Sequence, residues 1–319
     1  YVDTIPPRVL EHLHSRPYIK AIVSHSGTTS IPSPSDSSHS IPHLLHIPGS
    51  GPESLPASDT GNIKKYTYPS AAPNSSHWIL PAAEEYDSAS ANIAHTRSLE
   101  FLKPVLGGPH FDIEAVWEEH TKFEFVERDV AATMATMVAQ PYVNHIPTMT
   151  GGVGKDRLTA FYTHHFIHSN PPDTRLRLLS RSISINRIID EFLLELTHTS
   201  TVDWLLPSLP PTNRPLSIPM TSIVTLRGDK LCHEHISWDQ GTVLMQLGLM
   251  PQWLKFPYEI DTGGVGGTRK AREGERFEVR TPCVGMEGSR KAVDEMEGES
   301  NVLIKKGREE GYWREVEDI

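Results

Sequence analysis

Seventeen histidines and forty acidic side chains give this 319-residue chain many groups able to hold a metal or move a proton. His164, His165 and His168 fall in a helical segment, with His164 and His168 one turn apart on one face. A zincin pair needs a glutamate directly after its first histidine, and His165 stands there instead. His233 and His235 flank Glu234 on a strand, at a spacing that puts both imidazoles on one face. No third ligand is fixed by spacing, so the histidines read chiefly as solvated or hydrogen-bonded side chains and no metal is expected. For proton transfer, Asp190, His198 and Asp239 are the right residue types, and Trp204 and Trp238 are suited to apolar walls. Asp190 and His198 share a strand face but lie eight residues apart, roughly 26 Å along an extended chain, too far to form a dyad. Asp239 also stands where a helix over 240–249 needs its N-cap. The Gly-rich pieces at 150–156 (TGGVGKD) and 263–267 (GGVGG) lack phosphate-loop spacing and read as a helix-entry turn and a hinge.

These groups have to be positioned by regular elements. Residues 112–122, 128–139 and 154–167 read as helices, and 142–146 as a short strand. Four strand-like runs follow at 174–185, 187–199, 217–227 and 230–238, then helix 240–249. Helices first and an antiparallel sheet after is an α+β pattern. Strand 187–199 carries Ile188, Asp190, Phe192, Leu194, Leu196 and His198 on one face, apolar with a polar residue near each end. Ahead of it, short apolar runs at 18–24, 41–47 and 63–68 and an amphipathic helix over 88–103 fit part of a parallel α/β sheet. Gly107-Gly108-Pro109 marks the boundary. Residues 257–319 read as a charged, partly disordered tail.

Composition narrows the function classes. A net charge of −10 argues against nucleic-acid binding, which draws on clustered Lys and Arg. No run reaches the ~20 apolar residues of a membrane span, so no membrane partner is expected. Cys232 and Cys283 are the only cysteines and sit far apart. A disulfide framework is therefore unsupported, and a reducing, cytoplasmic setting is the expectation.

Two stretches resemble known families. Residues 1–107 resemble the C-terminal part of a dienelactone hydrolase (carboxymethylenebutenolidase), an α/β-hydrolase. Ser24-His25-Ser26 matches a strand end, His77 the family histidine, Tyr86-Asp87 a conserved pair, and Phe101-Leu102-Lys103 a helix end. The family aspartate aligns with Gly51, and the nucleophile elbow would lie ahead of Tyr1. The resemblance thus implies ancestry, with His77 a residual hydrolase histidine. Residues 112–256 resemble the SnoaL-like polyketide cyclases of the nuclear transport factor two-like fold. The matching pieces are Thr197-His198, Pro211-Thr212-Asn213, Gly228-Asp229-Lys230, Glu234, Asp239 and Gln246-Leu247-Gly248. That likeness implies a cone-shaped curved antiparallel sheet closed by helices, and places the family's acid/base aspartate on Asp239.

The expected whole is an α+β cone over 112–256, preceded by a partial α/β-hydrolase-like segment at 1–107 and followed by the tail. The leading function is a cofactor-free small-molecule cyclase, isomerase or dehydratase. Its catalytic residues would be Asp239 and His198, and Asp190, Trp204, Glu234 and Trp238 would bind substrate. The alternatives are a ligand-binding or dimerisation module, and a hydrolase whose nucleophile half lies outside this chain. A homodimer through the sheet of 174–238 is expected.

Overall fold

Two units make up the chain, Tyr1–Phe111 and Asp112–Ile319. The computed structural model describes residues 16, 18–25, 41–49, 57–60, 63–261, 267–304 and 313–317.

In the first unit, β1 (Ile22–His25), β2 (His43–Pro48), β3 (Ala57–Thr60) and β4 (Ile63–Tyr68) form one sheet in the order β1-β2-β4-β3. The β1–β2 and β2–β4 pairs are parallel, and β3 joins β4 antiparallel. Helix α1 (Ser88–Leu106) is capped by Asp87, which accepts from the Ser90 amide, and closes on left-handed Gly107. The unit's core joins Tyr68, Ala71, Trp78 and Ala94. His46 is fully buried, bonded through Nδ1 to the Tyr68 hydroxyl at 2.6 Å and through Nε2 to Ser98 at 3.0 Å. Ser98 donates to the Ala94 carbonyl, so it accepts from His46 Nε2–H, and the Tyr68 hydroxyl donates to Nδ1.

The second unit opens with α2 (Ile113–Lys122), a π-helical turn at Phe123–Glu127, and α3 (Val130–Ala135). Asp112 and Asp129 cap the two helices, each accepting a backbone N–H at 3.0 Å. Strands β5 (Met137–His145) and β6 (Thr150–Val153) follow, then α4 (Lys155–Phe161) and a second π-helical turn at Tyr162–Phe166. The long strands are β7 (Arg175–Ile183), β8 (Arg187–Thr197), β9 (Pro215–Arg227) and β10 (Lys230–Trp238). They join β5 and β6 in a six-stranded sheet, order β6-β5-β10-β9-β8-β7. All its pairs are antiparallel except β5 with β10. Gly151 in β6 has no substitute: its φ is +120°, and an added Cβ would lie 2.2 Å from the Val143 carbonyl oxygen.

Helix α5 (Gln240–Leu247) packs on this sheet, and Gln246 grips β9 by accepting from the Ser217 amide and donating to its carbonyl. Beyond it, β11 (Trp253–Phe256), β12 (Ile260–Asp261), β13 (Thr268–Arg269), β14 (Glu275–Arg280), α6 (Met286–Val293) and β15 (Trp313–Glu317) are formed. Strands β11, β14 and β15 make a three-stranded sheet. There Glu278 is held by Arg276 and Arg314, and Glu315 by Arg269. Within the stretch read from its charge as a tail, opposite charges are thus paired, Arg276 with Glu278 along β14 and Arg314 with Glu278 and Arg269 with Glu315 between strands. Residues 262–266 and 305–312 lie outside the described residues. Among the described residues no helix is long and apolar enough to cross a membrane.

Candidate active site

One face of the six-stranded sheet, together with α2 and the two π-helical turns, lines a cavity of about 270 Å³. A space of that size can take one small organic molecule. The strand alternation dictates what faces it. Val143 and His145 come from β5, Asp190, Phe192 and Leu194 from β8, Met220 and Ser222 from β9, and Glu234 and Ile236 from β10. Both π-helical turns sit at its wall and deliver Glu124, Phe125, Tyr162 and Phe166. Such turns are rare and gather at functional sites, because the extra residue re-aims the side chains around it.

Strand β7 needs a bulge to contribute its charge. Leu176 and Leu178 face the cavity, so strict alternation would bring in Ser180 next. The register shifts between Leu178 and Ser180, and Arg181 enters instead, opposite Asp190. Arg181 clamps Asp190 with two hydrogen bonds of 2.8 Å and reaches Glu114 and Glu118 on α2. Trp117 Nε1 donates to the same Asp190 carboxylate at 2.8 Å. Asp190 is therefore fully engaged and fixes the sheet to α2.

A second cluster, His120, Glu124 and Glu234, is buried. His120 bonds Thr136 through Nδ1 at 2.6 Å and donates from Nε2 to Glu124 Oε1 at 3.0 Å. Glu234 Oε1 lies 3.3 Å from the same Nε2, an ion pair without a directed hydrogen bond, since the one N–H points at Glu124. Burial opposes a charge on His120, but the two carboxylates outweigh it and lift its pKa to about 10. Burial raises the Glu234 carboxyl, and the imidazolium offsets this only in part. Burial likewise holds the Tyr162 phenol well above its usual range, reinforced by Glu234 and Glu124. The three side chains present ligand atoms within 4.8 Å of one another, a set that a divalent cation could use. A cation would have to displace the proton that already sits between His120 and Glu124, so the cluster reads as a shared-proton site.

The residues singled out from sequence separate into two groups. Asp190, Trp204 and Glu234 line the cavity together. Trp238 does not: it packs edge-on against Trp204 at 5.6 Å and donates to Gln240 at 2.5 Å. Asp239 and His198, expected from sequence as the catalytic residues, do not line this cavity. Asp239 is exposed and caps α5, accepting from the Gly241 and Thr242 amides at 3.0 and 3.1 Å and from the Thr242 hydroxyl at 2.7 Å. His198 is buried just beyond the end of β8, where Nδ1 accepts from the Thr212 amide at 3.3 Å and the backbone bonds Asn213 and Arg214. Burial lowers its pKa, so it serves as a neutral clamp on the 198–214 loop. Asp239→Ala is accordingly expected to lose about 1 kcal/mol of stability and Asp239→Asn much less, because Asn still caps. Urea unfolding of both variants checks this.

His77 is exposed at the start of a 3-10 turn, and Gly51 lies outside the described residues. His164 and His168 belong to no metal cluster among the described residues, and His165 pairs with Asp203 at 2.9 Å.

Residues 117–234 match the family model described as a SnoaL-like domain. The match begins at Trp117 and does not bear on residues 1–107. A search of curated proteins found no match. Among solved structures, the chain is similar to an NTF2-like protein of unknown function from Burkholderia pseudomallei, at 15% identity and a TM-score of 0.34. That alignment covers 43% of this chain and 98% of the other. A protein with a ketosteroid isomerase-like fold from Catenulispora acidiphila, in complex with trimethylamine, aligns at 13% identity and a TM-score of 0.32. It covers 44% of this chain and 96% of that one.

Proposed function

From the SnoaL-like domain at residues 117–234, we propose that the cavity is the active site of a small-molecule cyclase, isomerase or dehydratase that works by proton transfer. The observation that carries this reading is Glu234, a buried carboxyl at the wall of an apolar cavity with its proton affinity raised. A base needs a pKa close to the working pH to take a proton and return it, and burial moves a carboxyl in that direction.

The substrate class follows from the walls. Trp117, Phe125, Phe166, Phe192 and Trp204 favour a flat, largely apolar molecule. A proton α to its carbonyl passes to Glu234, and the His120 imidazolium stabilises the cluster while Glu234 is charged. Ser222 is the donor for the oxyanion that forms. Ser222 lines the cavity, and its buried hydroxyl has no hydrogen-bond partner. Ser222 stands opposite Ile236 and therefore diagonal to Glu234 across β9 and β10. Diagonal neighbours are ~7–8 Å apart, which leaves room for a C–C=O unit between base and donor. No step in this chemistry calls on a bound cofactor. The test is exchange of the α-protons of 2-tetralone in deuterated buffer, followed by proton NMR. Catalysed exchange that depends on Glu234 supports the reading, and its absence in the native chain overturns it.

The same reading includes a homodimer. Ile189 and Ile223 are register partners on β8 and β9, exposed on the face opposite the cavity. Apolar sheet surface of this kind is commonly covered by a partner. Sedimentation is expected to give a dimer at micromolar concentration, and a monomer there would count against it.

A further inference from the structure

We infer that Trp117 is a positioning residue for the proposed base: it fixes the plane of the His120 imidazole, so that Nε2–H is aimed at Glu124 and not at Glu234. The inference deepens the proposed reading of the same cavity and rests on it.

Hydrogen bonds place both protons of His120. The Thr136 hydroxyl donates to the Thr133 carbonyl at 2.7 Å, so it accepts from Nδ1–H at 2.6 Å. Nε2 faces oxygens of Glu124 and Glu234 at 3.0 and 3.3 Å, and ionised carboxylates only accept. The ring is therefore an imidazolium with a single N–H between two carboxyl groups. The two distances are close, so a small tilt of the ring decides which group receives that N–H. A hydrogen bond stabilises a carboxylate and makes it a weaker base. The group passed over keeps the higher proton affinity. Here the bond goes to Glu124, and Glu234 is the one passed over.

Trp117 holds the tilt. It lies three residues before His120 on α2, and its indole stacks on the imidazolium with centroids 5.6 Å apart and planes 17° apart. A cation within ~6 Å of an indole face is attracted to it. A stacked ring holds its neighbour's plane only when its own plane is held. Trp117 Nε1–H donates to Asp190 at 2.8 Å, and Arg181 grips both oxygens of that carboxylate at 2.8 Å. Trp117 and Asp190 are both buried. The line Arg181–Asp190–Trp117–His120 thus runs from β7 and β8 to α2 and ends between Glu124 and Glu234. The titratable groups facing Glu234 are His120 from α2, Glu124 from the first π-helical turn and Tyr162 from the second. Its register partners on β5 and β9 are Val143 and Val224.

Two variants of the full chain separate the N–H from the ring. Trp117→Phe keeps an aromatic face and removes the N–H. Trp117→3-benzothienylalanine keeps the bicyclic shape as well and removes only the N–H. In both, Asp190 keeps its two Arg181 bonds, so no buried charge is stranded. The readout is the pH midpoint of the Glu234 carboxyl 13C resonance, assigned by its loss in Glu234→Gln. With the imidazolium free to tilt, its N–H is shared with Glu234, and the midpoint is expected to fall by about one pH unit. The pH profile of 2-tetralone exchange should move down by the same amount. A residue that only filled space would leave both in place in the benzothienylalanine variant. An unmoved or raised midpoint in that variant overturns the inference and leaves the proton-transfer reading standing. A native chain that catalyses no exchange overturns that reading and the inference with it.

Discussion

His120→Gln is expected to cost about 3–5 kcal/mol at pH 8, the largest stability effect of any single change at the cavity. The glutamine keeps most of the volume and a hydrogen-bonding head, but it removes the cation that Glu124 and Glu234 share at 3.0 and 3.3 Å. Two carboxylates would then face each other in a buried site with no cation between them, served only by neutral donors such as the new amide and the Tyr162 hydroxyl, which is hydrogen-bonded to Glu124. The sign of the pH dependence follows from the direction of each shift. The folded pKa of His120 is raised to about 10 from 6.5, so its stabilisation is complete below pH 6.5 and is lost as pH rises through 10. Glu234 is also raised, so it too weakens the fold as pH climbs through its folded pKa. The native chain should therefore lose stability between pH 6.5 and 10, and His120→Gln should flatten that slope. At pH 5 the deficit of the variant should shrink, because protonating one carboxylate relieves the pair. Urea unfolding at pH 5, 8 and 9.5 measures all three effects. An equal deficit at pH 5 and pH 8 would show that the imidazolium charge is not what holds the cluster.

Where strand alternation ran unbroken, the sequence could be read through to the site. The even positions of β8 put Asp190 among Ile188, Phe192 and Leu194, and all four are at least half buried on the inner side. Glu234 was legible as a strand residue, and Trp204 as a wall. Arg181 was not, because the bulge after Leu178 reverses the parity on which a face assignment depends. The His120–Glu124 pair carried a signal in its one-turn spacing, but that spacing on an amphipathic helix usually marks a surface pair. Only tertiary packing shows that Glu234 completes it. Asp239 carried two readings at once. Likeness to a family placed a proton-transfer group there, while the local rule that Asp starts a helix gave its actual position. His145 was hidden for a different reason: nothing in a short β5 run says that four aromatic rings, from α4, the second π-helical turn, the loop after β8 and β10, converge on one imidazole.

Glu234→Gln should abolish the proposed proton transfer while leaving the fold intact, and the two halves of that statement test different things. With Glu234 neutral, His120 and Glu124 remain as a balanced ion pair at 3.0 Å, and the buried site loses an excess negative charge. Stability should therefore change little at pH 8, in contrast to His120→Gln. Chemistry should not survive, because an amide cannot take the α-proton. Loss of a general base typically lowers a rate by about 10²–10⁴. Exchange of the 2-tetralone α-protons in the native chain should rise with pH as Glu234 ionises, above the ordinary carboxylate range because burial raises it. Asp239→Asn supplies the control: its carboxylate is exposed and committed to the α5 N-terminus, so exchange should match that of the native chain. Exchange that persists in Glu234→Gln would remove Glu234 from the mechanism. Exchange that instead fails in Asp239→Asn would return the acid/base role to the residue that family likeness first marked.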